Sequence, residues 1–407
     1  MTIAVLSDIH FGQFSRTKDF SVPGEQTEEQ TEGQISLLEN LISLLKKENV
    51  DYIFVAGDLT SVGSPQEYFY CGEALSRIAT EIGVANSNII VGLGNHDFDR
   101  RISSLYESVS ASAADETLKA LIRERYQLMA AHSAIHSIDS LSFATCESKI
   151  PCSGAIVRSD LVVFVLNSSW QCAHNQEYPH GKLSAKQLEW FKQEANKYVN
   201  DERTKIVLMH HHPVAYSYPT VTPDISMIEE GSELVDIAGR TGIDIIIHGH
   251  RHHPRAHTAI QSGWKHPITF ICAGSLSVNA VHRNNGEIPN TVHILRTTDS
   301  TGTYQLMNFK YCESDGWQPV TYSKEVPLDG EMLLGKVFTQ KQQEDALLAI
   351  VSANKEQTHQ ELHWNDLDES LRFMRLDELN DLLVSKQDSM NYKLFGRFPD
   401  EVMLSTK

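Results

Sequence analysis

Seven side chains able to hold a metal ion stand just past short apolar runs in this 407-residue chain. Asp8 and His10 follow the run 3–6, Asp58 follows 53–56, and Asn95, with His96 and Asp97 behind it, follows 89–91. His210 comes directly after 206–209, and His250 and His252 come after 245–247. Each run is rich in β-branched residues and stops abruptly, the pattern of a buried strand giving way to a loop. Ligand sites in open α/β sheets form at such strand ends, so the expectation is five strands delivering these groups to one sheet edge. Side chains alternate along an extended strand, so Asp8 with His10, and His250 with His252, can each address a single point.

Carboxylates, imidazoles and a carboxamide together suit Mn²⁺, iron or Zn²⁺ better than Ca²⁺, which prefers oxygen ligands alone. Seven ligands exceed what one tetrahedral zinc needs and match two metals that share a carboxylate. Asp58, with two oxygens, is the natural bridge. A two-metal site clamps the attacking and leaving oxygens of an in-line displacement and acidifies bound water, which suits hydrolysis of a phosphate ester. Among three consecutive histidines, His210 is preferred as ligand over His211 because it follows the apolar run directly. His248 reads as a packed strand residue, His253 and His257 as surface residues, and His174 and His180 as candidates to line the pocket.

Helical spacing of apolar residues marks 35–47, 66–82 and 183–198, the last capped by Ser184 with Gln187 as its capping-box partner, and a further helix lies near Leu234. Their alternation with the strands predicts a largely parallel sheet with helical crossovers. Residues 155–157 and 161–166 also read as strands, and 268–272, 292–296 and 304–311 read as strands of a second sheet. The stretch 102–138 is helix-like and forms an insertion near the site, at about 98–149. No strand pattern remains after about 327; 336–354 and 366–386 look helical, and 388–407 has no clear period. The domain boundary is therefore placed near 330, giving a domain 1–329 and a helical region 330–407. That region serves either as a cap on the main domain or as a module for partner binding or self-association.

A formal net charge of −18 argues against a broad basic groove that grips nucleic acid unaided. No apolar run reaches the ~18 residues of a membrane-spanning helix. The first strand begins with no basic segment before it, and the six cysteines are scattered without a C-x-x-C pair. Both features set the expectation of a reduced, cytoplasmic protein.

The blocks 7–12 (Ser-Asp-Ile-His-Phe-Gly), Gly57-Asp58, Gly94-Asn95-His96-Asp97, Met209-His210-His211 and Gly249-His250-Arg251-His252 resemble, in order, the signature blocks of the calcineurin-like metallophosphoesterases. Asn167-Ser168-Ser169, the segment 181–190 and Ala273-Gly274-Ser275 are similar to the branch with class III cyclic-nucleotide phosphodiesterases. The resemblance implies a four-layer α/β/β/α sandwich, here with a helical C-terminal appendage. It assigns Asp8, His10, Asp58 and His252 to one metal and Asp58, Asn95, His210 and His250 to the other, Mn²⁺ being the favoured ion. It makes His96, oriented by Asp97, the group that steadies the scissile phosphate or protonates the leaving group; Asn95 and His211 are further candidate substrate contacts, and Arg251, at a position often small or apolar in relatives, is a candidate contact through its own guanidinium. The implied activity is hydrolysis of a phosphodiester or phosphomonoester by a metal-bridging hydroxide, with a small ester such as a cyclic nucleotide as substrate. Two alternatives stand beside it: a metal-dependent nuclease working with a partner, and a partner-binding regulatory module on the same fold.

Overall fold

The computed structural model describes residues 1–27, 36–98, 153–169, 181–216, 226–353, 359–400 and 402–406. The apolar runs become strands buried on both faces, which have no solvent side to alternate toward. β1 (Thr2–Leu6), β2 (Tyr52–Ala56) and β3 (Ile89–Gly92) lie parallel in that order. The crossovers are α1 (Leu37–Lys47) and α2 (Pro65–Ile82). Ser64 caps α2 by accepting from the Glu67 N–H, and the Glu67 carboxylate accepts from the Ser64 N–H in return.

A second sheet has the order β4 (Gly154–Val157), β5 (Leu161–Val165), β6 (Thr204–Leu208), β7 (Ile245–His248), β9 (Ile268–Cys272), β8 (Arg255–Ala259). Strands β5, β6, β7 and β9 are parallel, and α3 (Ala185–Asn196) and α4 (Gly231–Thr241) cross between them. Ser184 caps α3 by accepting from the Gln187 N–H. The Gln187 side chain, however, donates to Ser153 Oγ at 2.7 Å instead of returning a bond to the cap.

The segment 268–311 does not form a second sheet of its own. Its first strand, β9, joins β7, while β10 (Thr291–Thr297) and β11 (Tyr304–Cys312) return to the first sheet, β10 antiparallel to β1. β12 (Gly316–Pro319) and β13 (Glu331–Leu334) both pair with β11, so the first sheet runs past residue 330.

Alternation along the strands sorts the core into three layers of side chains. Leu6, Val55 and Val91 pack with Leu41, Leu45, Leu75 and Ile78 of α1 and α2. Val5, Phe54 and Ile90 pack with Val163, Ile206, Leu208 and Ile247 between the sheets. Phe164, Val207 and Ile246 pack with Leu188, Phe191 and Leu234 of α3 and α4. The result is an α/β/β/α sandwich of four layers.

The tail has the expected helices, α5 (Gln340–Ala353), α6 (Glu369–Arg372) and α7 (Leu376–Lys386). It also has a three-stranded antiparallel sheet, β14 (His359–Leu362), β16 (Val402–Thr406) and β15 (Tyr392–Gly396) in that order, so it is not helical alone. These strands are short and half-exposed, and β14 reads His-Gln-Glu-Leu, so neither an apolar run nor a clean alternation announces them. Leu347, Leu371, Leu379, Leu383, Tyr392 and Leu404 form a separate core there. The insertion at about 98–149, except Phe98, and His174 and His180 lie outside the described residues. Among the described residues no helix is long and apolar enough to cross a membrane.

Candidate metal centre

Parallel strands end on the same side, so the carboxyl ends of β1, β2 and β3 meet those of β6 and β7 where the two sheets face each other. The seven side chains thus come from two sheet edges, not the single edge expected. The backbone turns sharply at the ends of β1, β2 and β7. Asp8, His10, Asp58, His250 and His252 all have φ between 49° and 72°, a left-handed conformation that side chains other than Gly and Asn rarely hold without cause. The other positive-φ residues besides glycine, among those described, are Asn49, Asn284, Asn285 and Asn391. Asp8 and His10 do address one point, but through left-handed turns and not as extended neighbours.

Glycines before the ligands are required by close approach. A Cβ at Gly94 would fall on the Asp58 carboxylate, and one at Gly249 would fall on Ser7 Oγ and Asp8 Oδ2.

The metal-capable groups form two clusters, Asp8–His10–His252 and Asp58–His210–His250, with His10, Asp58 and His96 close enough to form a third set between them. In the first, His252 Nε2 stands 3.1 Å from Asp8 Oδ1. His252 Nδ1 faces the His282 carbonyl at 2.8 Å, so Nδ1 carries the proton and a lone pair on Nε2 faces the carboxylate. His10 Nε2 lies 3.4 Å from Asp58 Oδ2 and 3.9 Å from Asp8 Oδ1, and neither ring nitrogen of His10 makes a hydrogen bond among the described residues. In the second, His210 Nδ1 donates to the Ala56 carbonyl at 2.8 Å. Its Nε2 is met by Asn95 Oδ1 at 3.1 Å, Asp58 Oδ2 at 3.3 Å and His250 Nδ1 at 3.2 Å.

Convergence of lone pairs on one point calls for a cation. Burial opposes charge on His210, but Asp58 beside it pushes the pKa up to about 9. His252 is likewise raised against burial, by Asp8. Burial, with His211 and His210 alongside, drives His250 well below the usual imidazole range, and burial does the same to His10. Buried donors without hydrogen bonds, facing acceptors and a carboxylate between both clusters fit two divalent ions, with Asp58 in reach of both.

His96 Nδ1 faces the Ser61 carbonyl at 2.9 Å, and its backbone N–H donates to Asp58 Oδ1 at 2.8 Å. Asp97 does not orient this ring. One of its oxygens accepts from the Gly94 N–H and the other from the Thr60 N–H and hydroxyl, so it ties the β2 and β3 loops together. Burial and then the Asp58 charge push the Asp97 carboxyl up to about 7. His211 is fully buried, with Ser168 Oγ 3.0 Å from Nδ1 and its ring 4.3 Å from that of His250. The clusters include His210 and not His211. Arg251 reaches Ser226 Oγ at 2.9 Å. His248 is buried with Nε2 2.7 Å from the Tyr216 hydroxyl, whereas His257 is half-buried and stacked on Phe270 instead of lying on the surface.

The sequence reading missed Ser61 and the carbonyls of Ala56 and His282. Carbonyls look alike at every residue, and nothing local marks Ser61. Only Ser168, within the quoted Asn-Ser-Ser block, left a trace.

A family model for calcineurin-like phosphoesterases matches residues 1–254. The chain belongs to that family. No curated protein matches its sequence. Among solved structures, it is similar to a purple acid phosphatase from yellow lupin (Lupinus luteus) seeds, with 12% identity and a TM-score of 0.46 over 83% of this chain and 54% of that one. It therefore spans only about half of the lupin chain. A dimetal phosphatase from Danio rerio is similar at 11% identity and a TM-score of 0.45, over 83% of this chain and 99% of that one. A putative 5′-nucleotidase from Staphylococcus aureus is similar at 15% identity and a TM-score of 0.35, over 85% and 58%.

Proposed function

We propose that this chain hydrolyses small phosphate esters, diesters or monoesters, with two divalent ions of which Mn²⁺ is the favoured choice. A cyclic nucleotide is one candidate substrate. The observation that carries the reading is the pair of carboxylate–histidine clusters with Asp58 in reach of both. Asp8, His10, Asp58 and His252 would hold one ion, and Asp58, Asn95, His210 and His250 the other. When bound, such a pair supplies an acidified water and positive charge beside the phosphoryl oxygens.

The chain's own residues do the rest. His96, anchored through Nδ1–H on the Ser61 carbonyl, presents Nε2; when Nε2 also carries a proton, the imidazolium gives that proton to the leaving oxygen and returns to the neutral ring. Asn95, His211 and Arg251 are the proposed contacts to the phosphoryl group. Asp97 positions, holding the His96 loop against the Thr60 loop, and does not touch substrate.

Metal analysis with a hydrolysis assay tests this. Protein purified with Mn²⁺ is expected to hold about two ions per chain and to cleave bis(p-nitrophenyl) phosphate until a chelator is added. His96→Ala should keep both ions and lose ~10²–10⁴-fold in rate. Folded, metal-loaded protein without hydrolysis would overturn the reading, and loss of metal in His96→Ala would make His96 a ligand.

A further inference from the structure

We infer that Phe14 and His282 form an aromatic shelf beside the metal centre that receives the planar part of the ester, an aryl group or a nucleobase. The inference rests on the phosphoesterase function proposed above and names the substrate class of that site. The Phe14 ring stands 4.7 Å from that of His282 at 57°, and 5.8 Å from that of His96 at 85°. It also lies 6.1 Å from the His10 ring. A substituent leaving from the oxygen that His96 protonates therefore departs along Phe14.

Packing does not account for this ring. Phe11 and Phe20, its neighbours in sequence, belong to the core under α1 and α2, whereas Phe14 belongs to none of the sandwich cores and is half-buried. His282 is exposed, and Val281 beside it in sequence is 75% exposed.

The backbone that carries the shelf shares its anchors with the metal centre. The Phe14 N–H donates to Ser61 Oγ at 3.1 Å, and the same hydroxyl donates to the His10 carbonyl at 2.8 Å. The Ser61 carbonyl holds His96. On the other side, the Phe14 carbonyl accepts from the Asn279 N–H at 2.9 Å, and Asn279 Oδ1 accepts from the His282 N–H at 3.4 Å. The His282 carbonyl in turn orients His252. Two rings placed ahead of time lose little freedom when a flat group enters.

Calorimetric titration of Mn²⁺-loaded full-length protein with phenylphosphonate and methylphosphonate tests the shelf, because the two differ only in the planar group. Wild type should bind phenylphosphonate about tenfold more tightly, in line with the stacking of one ring. Phe14→Leu, which keeps apolar bulk without a π face, and His282→Ala, which leaves the backbone carbonyl on His252, should each bring that ratio near one. Methylphosphonate affinity should stay within about twofold, and Phe14→Trp should keep the preference. A ratio near one in wild type, or a ratio that survives both substitutions, would overturn the shelf while leaving the phosphoesterase reading intact. If wild type binds neither phosphonate and cleaves no ester, the phosphoesterase reading fails and the shelf fails with it.

Discussion

In the Asp58–His210–His250 cluster the central imidazole is braced from behind, its Nδ1 on the Ala56 carbonyl, so its other nitrogen aims at the same point whether or not an ion is there. In the Asp8–His10–His252 cluster His252 is braced in the same way by the His282 carbonyl, but His10 is not. Its two nitrogens make no hydrogen bond among the described residues, and its ring meets those of His96 and His252 edge-on, at 4.7 and 5.3 Å. An imidazole buried without partners costs about 1–3 kcal/mol. One cluster is thus held by hydrogen bonds that exist without metal, and the other carries a destabilising residue whose only evident return is ligation.

Asp58 is where the two clusters meet, and its loss should have the largest effect. Asp58→Asn is expected to lower hydrolysis of bis(p-nitrophenyl) phosphate about a thousandfold or more, and to reduce the metal content below two ions. Full rate with two ions bound would remove Asp58 from its bridging place and separate the clusters altogether.

A buried histidine outside both clusters provides the reference for burial alone. His293 on β10 is fully enclosed, with Nδ1 2.6 Å from Asn308 Oδ1, and burial lowers its pKa to about 4 from an ordinary 6.5. A base with a depressed folded pKa is neutral in the fold, while the unfolded chain takes up a proton below 6.5. Its contribution is therefore intact above pH 6.5 and is lost as the pH falls from there to about 4, a change of ~3 kcal/mol. Urea unfolding across that range should show the slope in wild type and a flatter one in His293→Gln. Equal slopes would mean that His293 is not held neutral.

The finest test compares braced with unbraced rings in metal-free protein. His210→Phe should destabilise by about 1–3 kcal/mol because the Ala56 carbonyl loses its donor. His10→Phe keeps a ring of similar shape, removes two unpaired nitrogens, and should be neutral or stabilising. Equal losses in urea unfolding would erase the distinction between the clusters.

The gathering of Asp8, His10, Asp58, His210, His250 and His252 was legible because its signal is local. An apolar run, a glycine that permits close approach and then a ligand occur within a few residues at Gly57-Asp58, Gly94-Asn95 and Gly249-His250. The crossover helices were legible for the same reason, with apolar residues at helical spacing and, for α3, Ser184 at its cap; Ser36 and Ser64 emerge as the caps of α1 and α2 only in the structure. The tail was half legible. Helical periodicity survives in α5 and α7, but β14, β15 and β16 are short and partly exposed, and their pairing is set by partners tens of residues away.

The sequence by itself determined which residue types gather at strand ends and, through them, the chemistry they can do, because strand, turn and ligand are neighbours along the chain. Only the tertiary structure decided how those ends divide between the two facing sheets and that β10 and β11 return to the first. It alone decided that Asp97 braces a loop, that carbonyls of Ala56, Ser61 and His282 aim the histidines, and that Phe14 meets His282 across 268 positions of sequence. Such contacts depend on backbone groups that every residue carries and on approaches between distant segments, so no local pattern encodes them.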